Sequence, residues 1–210
     1  MAEGASSGER DAYRHERLDG VPGGPILLAL HGTDGDGASM LGDAGDLVPG
    51  ATVLAPHGDV REGEDRRFFR RHGPGAYDME DLERAAGALH GFLAAHAPGH
   101  ALVLALGYSN GANALVAMLL RDPRPLARAV LMHPLIPFDL PDVDLSGLDV
   151  LVTAGRGDER CPEGATRRLV DALVARGASV REHWHDGGHE IAPSEWEAAR
   201  AFLGEALTRG

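Results

Sequence analysis

A doubly wound α/β fold, with a mostly parallel sheet covered by helices on both faces, is what this sequence predicts, and three observations predict it. Short, uninterrupted apolar runs recur along the chain, as expected of strands buried on both faces. Stretches whose apolar residues repeat at helical spacing lie between those runs, and such alternation builds parallel sheets with right-handed crossovers. One apolar run, 101–106 (ALVLAL), turns sharply through Gly107-Tyr108-Ser109-Asn110-Gly111 into a second apolar stretch, ANALVAMLL.

Taken in order, residues 12–18 suggest an antiparallel edge strand, and Pro22-Gly23-Gly24-Pro25 leads into the first core strand, 26–30 (ILLAL). A second strand is expected at 51–55 (ATVLA). Between 78 and 96, Met79, Leu82, Ala86, Leu89 and Leu93 recur at helical spacing, with Glu83, Arg84 and His90 elsewhere, which predicts an amphipathic surface helix. The run 101–106 forms the next strand, and the helix after Ser109 is apolar nearly all round, so it belongs against the middle of the sheet. Strands follow at 128–132 (RAVLM), 149–154 (DVLVTA) and 178–184 (ASVREHW), with amphipathic helices at 162–176 and 194–207. No repeat or low-complexity linker interrupts the pattern. Residues 12–210 therefore read as one domain, with no room for a large cap, and residues 1–11 (MAEGASSGERD) as a flexible N-terminus.

Composition narrows the function classes. A chain of 210 residues that is 43% hydrophobic can bury a substantial core. Its net charge of -12 argues against a nucleic-acid partner, which needs clustered Lys and Arg. All 20 basic residues are arginine, a compositional bias rather than a site. No apolar run approaches the ~20 residues of a spanning helix, and residues 1–11 lack the apolar stretch of a secretory signal, so no membrane insertion and a cytoplasmic location are expected. The single cysteine, Cys161, excludes an internal disulfide and a cysteine-rich zinc site.

In an open α/β sheet, chemistry collects just beyond the carboxyl ends of the strands. Four such segments carry it here: His31-Gly32-Thr33-Asp34-Gly35, Ser109, Gly155-Arg156-Gly157-Asp158, and Gly187-Gly188-His189-Glu190. Strand, glycine-flanked serine and helix make a nucleophile elbow, in which the glycines clear space for a strained serine. The order Ser, Asp, His is that of the α/β-hydrolase triad and differs from the chymotrypsin and subtilisin orders. Ser109 is then the nucleophile, His189 the base that takes and returns its proton, and Asp158 the acid that orients the imidazole. The backbone N–H groups of Thr33 and Asn110 are the expected oxyanion donors.

Each role has competitors in the sequence. Asp139, Asp142 and Asp144 lie in a Pro-rich loop leaving another strand, and Asp186 precedes a Gly-Gly turn, which favours Asp158 as the acid. His183 and His185 alternate on one strand face and, with His189, invite a zinc reading, but histidines two apart on a strand commonly pack or face solvent. With no carboxylate partner evident, no metal and no cofactor are expected. His31 reads as structural beneath the oxyanion loop, and Cys161 as a packing residue near the acid loop. HGTDGDG lacks the P-loop pattern, and a chain without lysine cannot supply it.

Several motifs in sequence carry a family resemblance: LHGTDGD, RFFRR followed by GAYDMEDL, GYSNGANAL, AVLMHPLIPF, TAGRGDERCP and HWHDGGHE. Over about Leu28 to Leu203 the chain resembles small bacterial carboxylesterases of the α/β-hydrolase superfamily, in the phospholipase/carboxylesterase and dienelactone-hydrolase-like group, nearest the branch with hydroquinone-specific hydrolases. The resemblance implies Ser109, Asp158 and His189 as triad, Thr33 and Asn110 as oxyanion donors, and a serine esterase without cofactor. Dienelactone hydrolases proper carry a cysteine nucleophile, so the serine favours ordinary esters over lactones.

For the substrate, Phe68, Phe69 and Tyr77 offer an apolar wall near the serine, or equally a loop anchored on the core. Leu135, Ile136, Pro137 and Phe138 offer the opposite wall. An open, shallow pocket for small or short-chain esters, aryl esters included, is the expectation. The expected partner is a small-molecule ester, with a homodimer left open. The alternatives are a thioesterase or lysophospholipase using the same triad, and a silent hydrolase-fold binding module, which would be expected to lack a triad member.

Overall fold

The computed structural model describes residues 13–33, 35–97, 99 and 101–208. The expectation of a flexible N-terminus at 1–11 lies outside them. Six elements open the described chain: β1 (His15–Leu18), β2 (Ile26–Leu30), α1 (Gly37–Ala44), β3 (Thr52–Pro56) and the short hairpin β4 (Val60–Glu62) with β5 (Asp65–Arg67). A second small hairpin, β6 (Arg71–Gly73) with β7 (Ala76–Tyr77), leads into α2 (Met79–His96), β8 (Val103–Tyr108) and α3 (Asn110–Arg121). The remainder is β9 (Arg128–Met132), β10 (Asp149–Gly155), α4 (Glu163–Val174), β11 (Ser179–His185), α5 (Pro193–Gly204) and a 3-10 turn, Glu205–Thr208.

Seven strands form one sheet in the order β1-β3-β2-β8-β9-β10-β11. All neighbours are parallel except β1, which pairs antiparallel with β3 at the edge. The mostly parallel sheet with helices on both faces is therefore the architecture, and among the described residues no separate cap covers it. Alternation along each strand divides the core in two, because successive side chains point to opposite faces. Leu28 and Leu30 of β2 pack in the cluster that takes Leu82, Leu89 and Phe92 of α2 and Leu169 and Leu173 of α4. Leu27 and Ala29, one residue out of phase, pack with Met40 and Ala44 of α1 and Phe202 and Leu203 of α5. From Asn110 to Leu119, α3 is buried on every side, as its all-round apolar sequence requires.

Two expectations need correction. Met79 is 49% exposed, because as the first residue of α2 it stands beyond the apolar stripe; Asp78 caps the helix there by accepting from Asp81 N–H at 3.0 Å. The helix expected over 194–207 divides at Gly204 into α5 and the 3-10 turn. Among the described residues, no helix is long and apolar enough to cross a membrane.

The strand order reverses between β2 and β8: the chain leaves β2 for β3 on one side and later returns through β8 to the other. Ligand sites form at such a switch point, beyond the carboxyl ends of the two strands. Gly32 and Thr33 follow β2 there, and Ser109 follows β8.

Candidate active site

Ser109 occupies the turn between β8 and α3 with φ 50° and ψ -111°, a strained conformation for a residue bearing a β-carbon. Hydrogen bonds on both sides hold it: its N–H donates to Met132 O at 2.9 Å, and its carbonyl accepts from Asn113 N–H at 3.0 Å. The flanking glycines are required by space. A β-carbon on Gly107 would stand 2.6 Å from Gly111 O, and one on Gly111 would stand 2.4 Å from Leu30 O.

Three loops then converge. His189 Nε2 lies 2.9 Å from Ser109 Oγ, and His189 Nδ1 lies 2.7 Å from Asp158 Oδ2. With Nδ1–H donating to the carboxylate, Nε2 is left to accept from the serine hydroxyl. Tyr108 Oη donates to His189 O at 2.8 Å, which ties the histidine loop back to the elbow. Asp158 is buried, and its Oδ1 accepts from the N–H groups of Arg160 and Cys161, both at 2.9 Å. Burial alone would raise its pKa, yet the donors from His189, His133 and the Cys161 backbone outweigh that and hold the carboxyl below its usual range. Of the competing acids, Asp186 has a fully exposed side chain, 3.8 Å from Arg156.

Thr33 and Asn110 line the same cleft as Ser109 and His189. Their side chains are engaged behind it: Thr33 Oγ1 accepts from Arg67 Nη1 at 2.7 Å, and Asn110 Oδ1 accepts from Phe68 N–H at 2.8 Å. His31 lies under this loop. Its Nδ1 donates to Gly32 O at 2.6 Å, its Nε2 accepts from Gly58 N–H at 2.9 Å, and burial lowers its pKa, so a neutral ring braces the turn. Cys161 is buried beside the acid loop, with its thiol donating to His133 O at 3.2 Å.

The cleft measures about 490 Å³, and its walls differ from those expected. Tyr77 and Leu135 line it, together with Arg67, Arg71 and Arg160. Phe68 and Phe69 do not: both rings are 0% exposed, Phe68 against Tyr13 and His31 and Phe69 against Tyr77. Burying two phenyl rings in the core is worth more than leaving them on a wetted wall. Ile136 and Phe138 also turn away and line a separate cleft with Arg168 and Arg176. The chain is pinned at Leu135, whose N–H donates to Asn113 Oδ1 at 2.7 Å and whose carbonyl accepts from Tyr77 Oη at 2.6 Å, and the residues beyond pass to the α4 side.

The histidines of β11 also differ from expectation, because His185 has a carboxylate partner. Its Nε2 lies 3.1 Å from Glu195 Oε2 of α5, whereas His183 Nε2 pairs with Ser194 Oγ at 3.0 Å. Glu195 in turn approaches His133, and His133 reaches Asp158, so two acid and histidine clusters meet at His133. Sequence reasoning passed over both residues. His133 carried a signal, since it directly follows an apolar strand run. Glu195 carried none, since it enters from the first turn of a helix.

No protein-family model matches the chain. It is 36% identical over 189 residues to the protein named "Putative hydrolase MhqD" of Bacillus subtilis, covering 87% of this chain and 94% of the relative. Among solved structures it resembles Atu2452 of Agrobacterium tumefaciens, a protein of unknown function, with TM-score 0.87 and 44% identity over 93% of this chain and 97% of that one. It also resembles a Bacillus cereus carboxylesterase, with TM-score 0.86 and 33% identity over 92% of this chain and 94% of that one.

Proposed function

The chain belongs to the α/β-hydrolase carboxylesterase family, and from that premise we propose that it is a serine esterase for small or short-chain esters, working through an acyl-enzyme. The observation that carries the reading is His189, which bridges Ser109 Oγ at 2.9 Å and Asp158 Oδ2 at 2.7 Å. In this reading His189 takes the Ser109 proton as Oγ attacks the acyl carbonyl, then returns it to the leaving alcohol. Asp158 keeps the imidazole in the tautomer that leaves Nε2 free to accept, and stabilises the imidazolium. The N–H groups of Thr33 and Asn110 hold the oxyanion, and the N-terminus of α3 adds a favourable dipole. Water activated by His189 then hydrolyses the acyl-enzyme.

The cleft supports the size preference. It holds about 490 Å³, its apolar walls are few, and three arginines stand around it, so it offers little apolar surface to a long acyl chain. Hydrolysis of p-nitrophenyl esters from acetate to palmitate, with Ser109→Ala beside wild type, tests both parts. We expect kcat/KM to fall steeply with chain length and Ser109→Ala to lose several orders of magnitude of kcat while staying folded. A folded Ser109→Ala protein with near-normal turnover would overturn the mechanism; a rising chain-length series would overturn the substrate class.

A further inference from the structure

Behind the acid stands a second histidine. His133 follows β9 directly, is 0% exposed, and adopts φ 50°, the left-handed region that strains a residue with a β-carbon. Its Nδ1 lies 2.8 Å from Asp158 Oδ2, the same oxygen that faces His189 Nδ1. Its Nε2 lies 3.1 Å from Glu195 Oε1 and 3.3 Å from Oε2. Glu195 is equally buried and firmly held: Thr153 Oγ1 donates to Oε1 at 2.5 Å and Ala192 N–H to Oε2 at 2.6 Å. His185 completes the shell. Its Nδ1 accepts from Gly187 N–H at 3.0 Å, which puts the ring hydrogen on Nε2, 3.1 Å from Glu195 Oε2 but outside hydrogen-bond geometry.

Both ring nitrogens of His133 thus face carboxylate oxygens. A neutral imidazole would aim one lone pair at a buried carboxylate, whereas the imidazolium donates at both positions. Burial alone would lower its pKa, but the hydrogen bonds and charges of Glu195 and Asp158 outweigh burial and raise it. Of the other groups around the ring, the Glu190 carboxylate adds a further negative charge that acts on His133, the rings of His189, His185 and Tyr108 lie at 5.2, 5.6 and 5.9 Å, and the Cys161 thiol donates to His133 O.

We propose that His133, anchored by Glu195, is a positioning residue for the esterase site: it donates to Asp158 Oδ2, fixes that carboxylate for His189, and offsets part of its charge. The proposal rests on the reading of His189 as the base. It has a direction. Without the neighbouring cation the Asp158 charge is less compensated, the His189 imidazolium is held more tightly, and the base form appears only at higher pH. His133 does not line the cleft, so the effect belongs in kcat rather than KM.

The test is the pH profile of p-nitrophenyl acetate hydrolysis in three variants. His133→Ala removes both the donor and the charge; kcat should fall about 10- to 100-fold, the size seen when outer hydrogen-bond partners are lost from metal sites, with KM little changed and the acidic limb moved to higher pH. His133→Asn offers an amide N–H to Asp158 and suits the left-handed backbone, but is neutral. It should recover most of kcat while the limb stays displaced. Glu195→Gln should displace the limb in the same direction. If the folded variants melt earlier yet keep wild-type kcat and an unmoved limb, the residue is merely structural and the proposal is overturned. Should His133→Ala fail to fold, the other two variants decide by the same criteria. NMR of the histidine rings in Ser109→Ala separates this proposal from the functional reading. Two protons on the His133 ring at about pH 7, where an ordinary histidine is mostly neutral, support it whatever the activity, and one proton overturns it. Retained activity in Ser109→Ala instead overturns the esterase mechanism.

Discussion

Asp158 shows how far a single residue is specified. Its Oδ2 faces the Nδ1 atoms of His189 and His133 at 2.7 and 2.8 Å, and its Oδ1 accepts from the N–H groups of Arg160 and Cys161. Every contact is a donor, so only a group that accepts at both ends fits. Asparagine is nearly isosteric and cannot comply. Placing its amide NH2 towards the histidines sets donor against donor in the triad, and placing it towards the backbone strands the N–H groups of Arg160 and the buried Cys161. The same substitution in a well-studied serine protease triad lowers kcat by about 10⁴, and here Asp158→Asn should cost a comparable factor. It should also destabilise by about 1–3 kcal/mol, a melting temperature roughly 2–12 °C lower by calorimetry. Full stability with full activity would mean that the carboxylate is not the orienting acid.

At the scale of elements, the 3-10 turn after α5 is fastened to the sheet by one carboxylate. Glu205 pairs with Arg181 of β11 at 2.6 Å and with the buried Arg128 of β9 at 3.2 Å, and Arg128 also stacks on Phe202 and pairs with Asp149 of β10. The hydrogen bonds from Arg181 and Arg128 lower the Glu205 pKa from 4.5 to about 2. A depressed folded-state value means that the stabilisation is fully present above about 4.5 and is lost as pH falls from there through about 2. Glu205→Gln should therefore melt below wild type at neutral pH, and the gap should close as the buffer is taken from above 4.5 towards 2. A gap that persists unchanged would assign the effect to packing rather than charge. Elements differ sharply in how plainly the chain announces them. Five of the core strands were legible because a parallel strand buried on both faces must be largely apolar, whereas β11, at the sheet edge, carries the mixed sequence SVREHWH. The helix α1 was not, since GASMLGDA is short and carries two glycines, and its start depends on the Asp36 and Ser39 capping box. Nor were the hairpins β4–β5 and β6–β7, whose charged sequences VRE, DRR and RHG lack alternation. Of the candidate site, the residues that follow apolar strands were legible, whereas the walls were not. Whether a loop phenylalanine faces the cleft or the core depends on the path of the two hairpins.

The whole molecule is linked through the neighbourhood of Cys161, its only cysteine. The thiol is 3% exposed, bonds to His133 O at the end of β9, and follows the loop from β10 whose Asp158 reaches His189. His133 extends the contact to α5 through Glu195. Burial, reinforced by the nearby Asp158 charge, pushes the thiol up to about 12 from 9.0. Because only the thiolate attacks a disulfide reagent, the folded protein at about pH 8 presents far less reactive thiol than the unfolded chain. Opening the site far enough to release the thiol separates β9, β10 and α5 together, so Cys161 should report global rather than local unfolding. Labelling by a chromogenic disulfide should be very slow in native buffer. Its rate should rise with guanidinium along the slope of the equilibrium unfolding transition, because the exposed surface is that of the whole domain. A labelling rate nearly independent of denaturant would instead mean that the acid loop opens alone, and that the network joining His189, Asp158, His133 and Glu195 does not bind the two sides of the sheet into one cooperative unit.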